Sequence, residues 1–284
     1  MREMIEPPDI FFVPAQFRSI QAAVDAVRRS TTIMVQPDYY NESVVVKDKE
    51  CIVIVSTGLS RRGVAITGAA GSDVLLIQGS TVHLSGIAIR SDGRLRGISV
   101  RDSSLSLQDC VVACNRASNQ ASSGGVGAGM ECRNSYVRIQ KTAVIGNTVE
   151  SGEGLVTDAL GGGLYLDRCR VEIAGSTIQA NAAHSRGAAR GGGIWCSGTR
   201  MRMWRSRVTD NALRAPVCEG GGIYFRDTAR CELGGSVITG NGFPEGKGGG
   251  IFIEGDPSAL SIHRNTAVRL NHPDDHWARL QVRQ

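Results

Sequence analysis

From residue 127 onward, apolar and polar residues alternate in short runs, as in Leu164/Leu166 and Val171/Ile173, the members of each pair separated by one polar or outward residue. A period of two over three to five residues predicts β-strands and excludes helical repeats. The runs recur. Glycine clusters begin at Gly127, Gly161, Gly191, Gly220 and Gly248, in steps of 34, 30, 29 and 28 residues. Each is followed by two short strands and then by an apolar residue three positions before an asparagine: Val144/Asn147, Ile178/Asn181, Val208/Asn211, Ile238/Asn241, Val268/Asn271. Leu107 to Asn115 keeps the pattern, and Leu84 to Ile89 keeps its apolar part.

A unit of about 30 residues with only short strands cannot bury its own apolar face, whereas stacked units share one continuous core. The predicted fold is therefore all-β, a single-stranded right-handed parallel β-helix (β-solenoid) with a short N-terminal capping helix. It is one domain over 1–284, with an N-terminal cap over 1–30, coils over 31–271 and a C-terminal cap over 272–284. Ile20, Val24 and Val27 are predicted to face the first coil. Asparagine tolerates left-handed geometry and can bond the next coil, so Asn147, Asn181, Asn211, Asn241 and Asn271 are expected to stack as a turn ladder.

The glycine clusters paired with [VI]xxN resemble the GGAI and FxxN repeats of polymorphic outer-membrane proteins. The segment Phe17 to Val27, followed by Ile33 to Glu42, is similar to the opening of pectinesterases and other pectin-lyase-like proteins, with Asp38 where that family carries glycine. The resemblance implies the right-handed parallel β-helix and leaves activity open, because this fold serves lyases, hydrolases, epimerases and adhesins alike. The catalytic motifs of pectinesterases, polygalacturonases and alginate epimerases are absent; Gln108 and Asp109 match only two residues of the first.

Composition adds limits. The chain has 36 glycines and 8 prolines, and a formal charge of +5 spread among alternating acids and bases, which does not predict nucleic-acid binding. No apolar run is long enough to span a membrane. Acids and prolines occupy the first twenty residues, where a signal peptide needs a basic start and an apolar stretch, so the expected location is cytoplasmic. The eight cysteines form no CxxC pair and read as free thiols, with Cys132, Cys196 and Cys231 at inward positions.

Registering the repeats places Tyr165, Trp195, Tyr224 and Phe252 in one outward column, with Glu131 one coil earlier and Asp167 and Arg226 in the neighbouring column. An open strip of stacked rings would bind a sugar or another flat, polyhydroxylated or anionic ligand. Alternatively, the long turns fold over it and make a second small core. Asp158, His184 and Arg186, with Glu153, lie in adjacent turns beside the strip and are the expected acid/base grouping if the chain is an enzyme. On the next strand Arg138, Glu172, Arg202 and Glu232 alternate in sign, beside a positive column of Arg170, Arg200 and Arg230. The column can clamp a phosphate, sulfate or uronate, or be satisfied by the neighbouring glutamates. No cofactor or metal is expected, although His272, Asp274, Asp275 and His276 gather ligand-type residues near the C-terminus. Two functions remain: an intracellular protein that binds, and as an enzyme transforms, a carbohydrate-like ligand, or a non-catalytic scaffold.

Overall fold

Each strand offers one apolar face, and the coil above or below supplies the surface that buries its edges. The computed structural model describes residues 8–58, 63–69, 73–91, 95–118, 125–152, 156–227 and 230–279. Within them the chain winds as an all-β parallel solenoid with three long walls. Wall A has ten strands, from Asp9–Val13 to Leu260–Ile262; wall B has nine, from Asp38–Tyr40 to Ala267–Arg269; wall C has nine, from Val44–Lys47 to His276–Arg279. Strands pair in parallel with the register that the repeats predicted, Leu164 opposite Ile194 and Val171 opposite Met201. The inward residues, Cys132, Cys196 and Cys231 among them, form one core along the whole stack.

At each corner a left-handed residue turns the chain and the following side chain ties coil to coil. Between walls B and C the asparagines form the expected ladder. It begins earlier, at Asn115, and each side-chain amide from Asn115 to Asn241 donates to the Oδ1 of the next at 2.8–3.0 Å. Asn271 closes it on the carboxylate of Asp275, 2.9 Å away. The third glycine of each cluster is demanded by this ladder. A Cβ on Gly163 would lie 2.6 Å from the carbonyl oxygen of Gly193 and 3.0 Å from the Asn181 side chain. The first, Gly161, turns with a φ of +66° that disfavours any side chain.

Hydroxyl ladders hold the other two corners. Between A and B, the backbone amides of Cys110, Thr142, Ser176 and Ser206 donate to Thr142, Ser176, Ser206 and Ser236. Between C and A, Lys49, Ser80 and Ser103 donate to Ser80, Ser103 and Ser135.

The helix Ile20–Ala26 covers the first coil with Ile20, Ala23 and Val24, and Val27 follows it into the core. Ser19 caps it, and the Glu42 carboxylate accepts the amides of Ile20 and Gln21, both at 2.8 Å. The strand Asp9–Val13 precedes the helix and pairs with Thr31–Val35, so the expected cap also adds a strand to wall A. At the other end, within the segment expected to cap the stack, His276–Arg279 pairs with Ile251–Glu254 as a further strand of wall C, because its alternation matches that wall's; residues 280–284 of that segment lie outside the described residues.

Candidate functional site

The ring column exists and is longer than the repeats showed. Tyr165, Trp195, Tyr224 and Phe252 stack with centroids 4.5, 6.4 and 5.1 Å apart and planes within 5° of parallel, and Trp277 adds a fifth ring 4.7 Å from Phe252. It is not open. Tyr165, Trp195, Tyr224 and Phe252 are 6, 5, 1 and 0% exposed. Between the asparagine corner and wall C the chain makes an excursion of two short strands per coil, which form two four-stranded sheets. Val126 and Leu160, in register on the sheet nearer the rings, pack against them, and the Arg190 guanidinium lies 5.8 Å from the Tyr224 centroid. A small core of Val149, Ala183, Leu213 and Phe243 joins the two sheets. The exterior ligand platform is thus corrected to a second core, since a covered apolar strip is more stable than a wet one.

Its polar members are paired off. Glu131, 2% exposed, accepts from Arg96 at 2.6 Å and Arg133 at 2.7 Å. Asp73 shares Arg96 at 3.2 Å; burial raises its carboxyl pKa against the pull of that arginine. Asp167 meets Arg133 and Arg168 at 3.5 and 3.1 Å, and Arg226 meets Glu254 at 3.6 Å. The Tyr224 hydroxyl bonds the Glu254 carboxylate, and burial pushes this phenol far up. Glu131, Asp167 and Arg226 therefore brace the rings and do not line an opening.

The expected acid/base grouping does not converge. Asp158 accepts from Arg190 at 2.7 Å and from the Ala188 amide at 3.1 Å. His184 stands on the other small sheet, in register between Glu150 and Arg214, where burial lowers its pKa. Arg186 is exposed, its amide donating to Ser151. Adjacency in the stack set these residues near one another but on different faces. Glu153 lies outside the described residues. Near the C-terminus, Asp275 ends the asparagine ladder and Asp274 accepts the Gly249 amide at 2.9 Å, so both serve the backbone.

One open polar surface is the outer face of wall A; another, a cavity of about 490 Å³ at the corner between walls C and A, is lined by Asp48, Lys49, Glu50, Asp102 and Asn134 among others. Arg138 donates to Glu172 at 3.0 Å and to the Tyr136 hydroxyl at 2.9 Å. Arg202 and Arg230 both reach Glu232 at 3.2 Å, and Arg170 lies over the Tyr136 ring, 5.7 Å from its centroid. The alternating column is satisfied as expected. Arg200 is not: among the described residues it has no carboxylate partner. A cavity of about 90 Å³ is lined by Arg170, Val171, Glu172, Arg200 and Arg202. It adjoins a second of about 260 Å³ between Gln140, Glu172, Ala174, Arg202 and Trp204. Ala174 makes the room, standing in register beside Trp204. Trp204, 36% exposed, is a partly open ring on this wall, one side of it against His263 with centroids 4.7 Å apart; its signal in the sequence was an aromatic at an outward position beside an alanine one coil earlier.

No protein-family model and no curated protein matches the chain. Among solved structures it is similar to ORF18 of Geobacillus virus E2, at 12% identity over 87% of this chain and 55% of that one, with a TM-score of 0.38. It is similar to pectin methylesterase from carrot, at 11% identity over 98% of this chain and 82% of that one, TM-score 0.35. Pectin methylesterase from Aspergillus niger is 12% identical over 98% of this chain and 86% of its own, TM-score 0.37. Among the described residues no helix is long and apolar enough to cross a membrane.

Proposed function

We propose that the chain is a ligand-binding β-solenoid whose outer wall A face takes an anionic, polyhydroxylated ligand, a uronate-bearing oligosaccharide. One observation carries this reading: Arg200 lines an open notch with Arg170 and Arg202, and among the described residues it has no carboxylate of its own while its neighbours are paired or stacked. Guanidinium groups at coil spacing suit a carboxylate, and Glu172, Gln140 and Trp204 offer hydrogen bonds and a ring edge to a sugar beside it. The reading is of binding and not of turnover. Burial works to raise the Glu172 carboxyl, but hydrogen bonds from Tyr136 and Arg138 hold it below the usual value. A carboxylate held ionised is a poor general acid. The eight free cysteines suit a reducing compartment, so a cytoplasmic setting is part of the proposal.

Calorimetric titration with trigalacturonate and with neutral maltotriose tests it. The acid trimer should bind, more weakly as salt rises, and the neutral one should not. Equal binding of both, or of neither, would end this reading; binding of neither would favour the scaffold, a role that the sealed ring column also allows.

A further inference from the structure

We infer that the ligand of this face is a linear polyanion that lies across the stack, along the coil from Arg200 to Arg207, and turns the corner from wall A to wall B. The inference rests on the reading above. Arg200, Arg202, Trp204, Arg205 and Arg207 are all exposed and follow one another on the outside of a single coil. Of these arginines only Arg202 has an ion pair among the described residues. No outward acid interrupts them before Asp210, which bonds Gln179 at the next corner.

The rows on either side are low. Ala174 and Thr177 precede Trp204 and Arg207 in register, and Gly234 and Val237 follow them. Trp204 lies against Gly234 and Arg205 leans over Gly235, so a Cβ on Gly235 would sit 3.6 Å from the Arg205 side chain. The coil therefore stands as a basic ridge with a ring in its middle. At the rise of about 3.3 Å per strand residue, Arg200 and Trp204 are about 13 Å apart, and the ridge continues past the corner.

A ligand running the other way, along the solenoid axis, meets a different surface. Glu172 and Glu232 stand above and below Arg202, and Arg230 is already tied to Glu232. In the flanking column Arg170 lies over the Tyr136 ring and Arg230 is paired, so an anionic chain meets acids and engaged arginines on that path and unpaired arginines along the coil. An acidic glycan fits better than single-stranded nucleic acid. The latter is held by successive aromatic faces, and this ridge has one ring, flanked by Gln140 and Glu172, which suit hydroxyl groups.

The test is calorimetry on the Arg205→Asn/Arg207→Ser variant with digalacturonate and hexagalacturonate, and with oligothymidylate on the unaltered protein. Asparagine suits the left-handed turn at residue 205, where φ is 50°. The hexamer should bind about tenfold more weakly to the variant, the loss of two exposed charge contacts, while the dimer, held at Arg200, is unchanged. An unchanged hexamer affinity with intact dimer binding would overturn the path along the coil and leave the wall A notch standing. Tighter binding of oligothymidylate than of the hexamer would overturn the ligand class.

Discussion

The indole of Trp195 lies flat on the ring of Tyr165, centroids 4.5 Å apart and planes 2° from parallel, with 5% of Trp195 exposed. A ring so placed is packing. Trp195→Ala is expected to cost about 3–5 kcal/mol of stability, as for emptying a filled core site. Chemical denaturation measures it; trigalacturonate affinity should stay unchanged in the folded variant.

The asparagine ladder makes each member answer for two coils. Asn181 donates to Asn211, accepts from the amide and side chain of Asn147, and holds the Val144 carbonyl at 3.0 Å. Asn181→Ala leaves buried donors and an acceptor unmet, at about 1–3 kcal/mol for each. It should lower the denaturation midpoint far more than Gln179→Ala, whose side chain bonds the exposed Asp210.

Arg190 bonds Glu219, which is 3% exposed, at 2.8 Å. Arg190→Met alone should destabilise by about 3 kcal/mol, because it strips an ion partner from a buried carboxylate. The double variant Arg190→Met/Glu219→Leu should recover part of that loss, which a double-mutant cycle by urea denaturation would show.

His184 sets the expected sign of one pH dependence. Burial lowers its pKa from 6.5, aided by Arg214 and Arg116 and opposed by Glu150. Protonation therefore favours the unfolded chain, and the stabilisation is complete above about pH 6.5 and is lost as pH falls through the lowered folded value. His184→Asn should flatten the fall in melting temperature between about pH 7 and pH 5.

Strands, register, asparagine ladder and glycine clusters were legible because each is written as one residue type at one repeating position. The ring column was legible as a column. Its burial was one of two readings left open, because the cover comes from pieces of two or three residues such as Gly125–Val126 and Ala159–Leu160, too short to show a period. The hydroxyl ladders went unread for a similar reason: Thr142, Ser176 and Ser206 look like any turn residue until their coils are stacked. Asp158 and His184 show the limit of stacking arguments. Their turns are neighbours, but backbone direction sends one to Arg190 and the other between Glu150 and Arg214.

The central claim is that ligand is held at the wall A notch and not on the ring column. Calorimetric affinity for trigalacturonate in Arg200→Ser, with Arg226→Ser beside it as the wall C counterpart, tests this most directly. At least a tenfold loss for Arg200→Ser, about 1.4 kcal/mol, with Arg226→Ser unchanged is the predicted result. Unchanged affinity in Arg200→Ser, with the loss appearing in Arg226→Ser, would contradict it.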